Sequence, residues 1–486
     1  MSGAVPERKS PSERLPLVMN DTKEELHGPM STSVAEEVPI LMGLIVPVVF
    51  TLLNEYVPAI TNIVLVGHSA ADNTKEQVDA VAISSMLFNI TSMSVGLGLA
   101  TSMDTLCTQA FGAQNTKKFG AIFQAGVLGT GLFLIPSCIL NWYSESILLF
   151  LHQDPEISAM AGTFTRYSTL GLPFLCLYEL IKRLLQPHQI TLPSAVVAVV
   201  ANVIHISVGY YLTNFTTYGY LGAAIGRSIA YICLPLLLLP YFFWNPVHRE
   251  WHLRWDWREA WANLPDFLEF GIPGMVSLVV EWGAWEILTL MAGLMQDHAV
   301  VLGVNSIIMT IISLIYMIFW GVSTAACIRV GYFLGANKPA EARLVTYVCY
   351  AITLGCCLCT GVVLFATRAS LPGLFVVDRD VIERTTYAIL FVIPCHMIDS
   401  MNCVTTGVLR AMGKQQIGVL VLSGAYYVVG IPAAAIFAFG VEWSIEGLWI
   451  GFTCGTTIAC LAYAIQIRAI NWVRLANEAS VRGGAD

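Results

Sequence analysis

Apolar residues along this chain fall in long runs of about twenty or more, separated by short breaks that carry Gly, Pro and charge. A helix needs about that length to cross roughly 30 Å of hydrocarbon. Reading the runs between breaks predicts twelve spans, at about 38–66, 78–103, 119–142, 163–182, 189–212, 219–243, 265–294, 299–326, 342–367, 384–409, 415–440 and 444–472. Helices pair all their backbone groups internally, as a bilayer demands; a barrel would read as short alternating segments, and none occur.

The pattern also repeats at a separation of about 223 residues. "GLATSMDTLCTQAFGAQN" (Gly98 to Asn115) lies over "GVSTAACIRVGYFLGANK" (Gly321 to Lys338), and "YLGAAIG" over "IEGLWIG" near the end of each half. Six spans per half make this a parallel repeat about an axis along the membrane normal. The fold class expected is an all-α polytopic membrane protein whose twelve transmembrane helices form two six-helix lobes around a central cleft. The domains expected are a disordered cytosolic tail at 1–36, an N-lobe at 37–243, a linker with an amphipathic helix at 244–264, a C-lobe at 265–472 and a cytosolic tail at 473–486.

Composition agrees with the span count: of 486 residues, 56% are hydrophobic and 12% charged, about half the charge of a soluble chain. Charge also orients the spans. With both termini placed in the cytosol, only six of the 25 Lys and Arg fall on the outer side, namely Lys75, Arg166, Arg227, Arg368, Arg379 and Arg384. Topology is fixed relative to the cytosol alone, so a plasma membrane and a vacuolar membrane both fit. The net charge of −8 resides mostly in loops and points to no nucleic-acid partner. The linker "WNPVHREWHLRWDWREAWANLP" suits the headgroup level of the bilayer better than a nucleic acid. "CCLC" at Cys356 to Cys359 sits in an apolar run with no second pair, so neither a zinc site nor a disulfide framework is expected.

Two such lobes without a soluble domain suggest a secondary transporter. The one phosphate-loop candidate, "TGVLRAMGKQ", has Val408 where Gly is needed and Gln415 where Ser or Thr is needed. No nucleotide or other cofactor is therefore expected, and an ion gradient must supply the energy. A membrane enzyme is the remote alternative, resting on His396 and Asp399 as a base and its orienter.

An ionisable residue at mid-membrane costs at least about 2.5 kcal/mol and so marks a candidate site. Glu281, Glu286 and Asp399 qualify. In "LVVEWGAWEILTLM" the two glutamates stand about 140° apart around the helix, and each shares a face with an indole four residues away: Glu281 with Trp285, Trp282 with Glu286. Carboxylate plus aromatic face holds an organic cation by charge and by cation–π attraction. A carboxyl in a low-dielectric pocket also takes up a proton more readily, so proton and cation compete for it, which is antiport chemistry. A merely structural, hydrogen-bonded role is the alternative for each acid. Asp104 reads as a cap or loop organiser near a span end, with a ligand role as the alternative, and Asn89 as either a cavity amide or a bridge between helices.

Five motifs in order carry a family resemblance: "SVGLGLATSMDTLCTQAFGAQN", "LLQPHQITLP", "VEWGAWEILTLMAGL", "YMIFWGVSTAACIRVGYFLGANKPAEAR" and "TTGVLRAMGKQQIGVLVLSGAYYVVGIP". From about Glu37 to Ala469 the chain resembles the multidrug and toxic compound extrusion (MATE) transporters of eukaryotes. The resemblance implies export of organic cations in exchange for protons; an intramembrane carboxylate serves sodium as well, so either ion fits, and a monomer in the lipid bilayer is expected. By position it gives Glu281 and Glu286 the family's paired seventh-span glutamates, Asp399 its tenth-span acid, Trp282 and Tyr316 its aromatic lining, and Asn89 its second-span amide. Thr310 stands where animal members carry a further Glu, and the first-span Asp of prokaryotic members has no clear equivalent in Asn54 or Glu55. Export of organic anions or secondary metabolites by the same fold is the other reading.

Overall fold

The computed structural model describes residues 32–69 and 73–484; residues 1–31 of the expected tail lie outside them. Eleven helices among the described residues are long and apolar enough to cross a membrane: Val34–Gly67, Thr74–Gly112, Lys118–Trp142, Leu192–Phe215, Leu221–Trp244, Trp257–Gly293, Ala299–Gly335, Pro339–Thr367, Arg379–Ala411, Gln415–Gly440 and Ser444–Ala469. The remaining expected span, fourth in chain order, is broken into Pro155–Thr169 and Leu172–Leu185. The break falls at Leu170 and Gly171, where the sixth span passes so close that a Cβ on Gly171 would stand 2.9 Å from Ser228 Cα. Pro173 in the next turn suits a helix start.

Three boundaries differ from the sequence reading. The first span already begins at Val34, because Ser33 and Glu36 form a capping box there. The linker holds no separate amphipathic helix: Val247–Trp251 is a short 3-10 turn that buries Trp251 against Phe119, and Asp256 then caps a helix that runs unbroken into the seventh span. Residues 473–486, expected as a plain tail, contain most of a helix, Trp472–Gly483, whose Trp472, Leu475, Ala476 and Ala479 are buried on the second and eighth spans.

The two halves meet as a two-fold repeat requires. The second span packs along the seventh, the first along the eighth, and the second crosses the eighth. At that crossing a Cβ on Gly112 would strike the carbonyl of Tyr332, and one on Gly335 the carbonyl of Gln109. Both pairs are related by the same shift of 223, so repeated small residues let two helix backbones touch. Polar bonds reinforce the contact: Thr105 Oγ1 donates to the Arg410 carbonyl at 2.6 Å, and Gln109 Nε2 to that of Ala411 at 2.8 Å. Arg329 holds Glu37 through two nitrogens, at 2.5 and 3.0 Å. The terminal helix adds Arg482 Nη1 to Gln109 Oε1 at 2.9 Å. These contacts seal one end of the cleft.

Candidate functional site

Beyond the seal the halves enclose a cavity of about 450 Å³, a size suited to a small molecule. The first half contributes Asn54, Glu55, Ser85, Asn89, Lys182 and Arg227; the second contributes Glu281, Trp282, Trp285, Glu286, Tyr316 and Trp320. Five of the six residues singled out in the sequence thus line one space. Although Glu281 and Glu286 point away from each other around their helix, the cavity wraps far enough around it to reach both.

The seventh span brings Glu281 opposite Tyr316 of the eighth, whose hydroxyl donates to Glu281 Oε1 at 2.6 Å. One turn on, Trp285 is set edge-on against Phe452 of the twelfth span at 4.7 Å and tilted against Trp449 at 6.0 Å. Tyr316 and Trp320 form a further edge-on pair at 6.2 Å. Glu286 lines the wall and has no hydrogen-bond partner among the described residues. Asn89 opens a π-helical turn, Asn89–Met93, a local distortion that recurs at functional sites.

Asp399 is the one of the six that does not line the cavity. It is 5% exposed and accepts a hydrogen bond of 2.8 Å from Tyr426. Tyr426 belongs to another π-helical turn, Gly424–Gly430. Asp399 remains within electrostatic reach of Glu281, so the two acids interact without sharing a wall. His396 bonds Thr360 at 3.0 Å instead, and the base-and-orienter pair of the enzyme reading does not form.

A family model described as MatE matches residues 47–211 and again residues 273–436. The chain belongs to the MATE family. The two matched stretches are its two halves, and membership makes it a multi-pass integral membrane transporter rather than an enzyme. Mouse multidrug and toxin extrusion protein 2 is 31% identical over 459 residues, 94% of this chain and 79% of its own length. Human multidrug and toxin extrusion protein 1 is 31% identical over 448 residues, 92% and 77% of the two chains. The crystal structure of the eukaryotic MATE transporter AtDTX14 superposes with a TM-score of 0.87 at 27% identity, covering 93% of this chain and 99% of that one. The Vibrio cholerae transporter VcmN, at 16% identity and a TM-score of 0.77, shares the fold.

This MATE chain departs from its sequence reading most in the first half. Glu55, which had looked unconvincing, lines the cavity and binds Lys182 Nζ at 2.7 Å; Glu179 binds the same ammonium at 2.6 Å. Arg183 pairs with Asp104, and Arg410 of the tenth span stands 3.8 Å from the other oxygen of that carboxylate. Asp104 is therefore neither a cap nor a loop organiser but the anion between two arginines of opposite halves. The signal was present: Glu179, Lys182 and Arg183 have the three- and four-residue spacing of helical ion pairs. Thr310 lies off the cavity wall and donates to the Ser306 carbonyl at 2.8 Å.

Proposed function

We propose that this MATE transporter exports organic cations in exchange for cations moving inward, protons first among them. The observation that carries the reading is Glu281: a carboxylate on the cavity wall, held by Tyr316, in a cavity lined also by Trp282, Trp285 and Trp320. A lipophilic cation gains from charge and from ring faces in such a place. A proton neutralises the same carboxylate and dismisses the cation, so one group serves both ligands in turn. Asp399, behind the wall and within reach of Glu281, is the second proton acceptor; Glu286 contributes negative charge to the substrate. The cavity and the seal are complete within a single chain, in keeping with a monomer.

With both termini in the cytosol, the seal closes the cytosolic end and the arrangement is outward-facing. Release of Asp104 from its two arginines, and of Glu37 from Arg329, accompanies the switch to the other face. An anion exporter is less well supported, since Lys182 and Arg183 are both neutralised by acids and, among the described residues, the second-half wall carries two carboxylates, Glu281 and Glu286, and no basic side chain.

The test is uptake of a fluorescent organic cation into vesicles under an imposed pH gradient, repeated at fixed pH with a sodium gradient. Uptake driven by the proton gradient and lost in Glu281→Gln supports the proposal; uptake driven by sodium alone moves the coupling to that ion. Epitope tags at both ends, read in sealed cells, test the orientation.

A further inference from the structure

Arg227 differs from every other basic group on the cavity wall. Lys182 is held by two carboxylates and Arg183 by Asp104. Arg227 is 4% exposed, makes no salt bridge among the described residues, and leaves both Nε and Nη2 without a hydrogen-bond acceptor. Its contacts are ring faces: its guanidinium carbon lies 4.8 Å from the ring centre of Phe88 and 5.8 Å from that of Phe164. A buried cation with neither counter-charge nor acceptor is costly to maintain. The two unpartnered nitrogens form the side-on edge with which an arginine grips a carboxylate through two parallel bonds. Both nitrogens are enclosed, so the side chain must turn to present that edge to an anion in the cavity, and no hydrogen bond among the described residues holds it in place.

The surroundings add donors and no charged acceptor. Ser85 and Asn89 are one turn apart on the second span, on either side of Phe88, whose ring Arg227 touches, and both line the same cavity as Arg227. Ser85 Oγ is enclosed and has no partner. Guanidinium, hydroxyl and amide thus gather on the first-half wall, while Glu281 stands on the second-half wall. We propose that Arg227, Ser85 and Asn89 form a subsite for a carboxylate or similar oxyanion, and that the cavity accepts zwitterionic substrates whose cationic end lies against Glu281. The cationic end of this inference rests on the function proposed above; the anionic end stands on Arg227 alone.

The experiment uses the full-length protein in proteoliposomes with an imposed pH gradient. It compares tetraethylammonium with the zwitterion 4-trimethylammoniobutanoate and with the methyl ester of that zwitterion, a cation of similar size. Arg227→Gln is expected to lower the ratio of zwitterion to tetraethylammonium uptake at least tenfold, Arg227→Lys to give an intermediate ratio, and Ser85→Ala to lower it about twofold to fivefold. An unchanged ratio in Arg227→Gln overturns the subsite. If that variant does not fold, the wild-type protein decides: the zwitterion must compete for uptake better than its ester, and an ester that competes as well refutes the carboxylate site. Replacing chloride by gluconate separates the remaining source of anion. A wild-type cation uptake that needs chloride, and loses that need in Arg227→Gln, would assign the site to free halide and overturn the zwitterion. If the wild type binds the zwitterion in an Arg227-dependent way yet moves no tetraethylammonium, the cation-export reading fails while this subsite stands.

Discussion

Tyr316 on the eighth span donates its hydroxyl to Glu281 on the seventh at 2.6 Å. A hydrogen bond to a charged group is worth about 1.5–3 kcal/mol. Tyr316→Phe should therefore raise the KM for an organic cation roughly tenfold to a hundredfold, with little change in melting temperature. Transport kinetics in proteoliposomes check this, and an unchanged KM would detach the tyrosine from the site.

Asp399 interacts with Glu281 but does not reach the cavity wall. Asp399→Asn should leave cation-for-cation exchange working at zero pH gradient and lower accumulation driven by a gradient to the part that Glu281 alone can couple. Loss of both activities in a folded variant would make Asp399 part of substrate binding instead.

Asp104 separates Arg183 of the first half from Arg410 of the second; Asp104 and Arg183 are buried and Arg410 is half-buried. Removing one partner of a buried ion pair strands the other and costs about 3–5 kcal/mol. Asp104→Asn should lower the melting temperature markedly, whereas Arg343→Gln, outside this network, should not. A thermal-shift measurement in detergent separates the two.

Gly112 and Gly335 occupy equivalent places where the halves touch. Overpacking a tight contact costs typically about 1–3 kcal/mol. Gly112→Val and Gly335→Val should both loosen the seal, read as faster hydrogen exchange over 105–112 and 327–335. Gly131→Val, whose Cβ meets nothing within 4 Å, is the control. Different outcomes for the two seal variants would contradict the symmetric packing.

The spans and the repeat were legible because bilayer crossing imposes a length and an apolar composition on each segment, and because duplication leaves glycines such as Gly112 and Gly335 in register. Glu281 and its indoles were legible because a charge within such a segment stands out. Asp399 looked equivalent to Glu281 for the same reason; which side of a wall an acid faces depends on neighbours such as Tyr426, brought from another span by the fold. The set of Glu55, Lys182 and Glu179 was hidden by its place near span ends, where charge is ordinary. The closing helix at Trp472–Gly483 was hidden too, since its short apolar stripe makes sense only once two helices from different halves form its floor.

In the mechanism proposed for this transporter, one carboxylate, Glu281, exchanges substrate cation for proton. The most direct test of that exchange is uptake of tetraethylammonium by purified protein in proteoliposomes under an imposed pH gradient, comparing wild type with Glu281→Gln. Gradient-driven uptake is expected in the wild type and its loss in the folded variant; gradient-driven uptake that survives Glu281→Gln would rule out that role for the carboxylate.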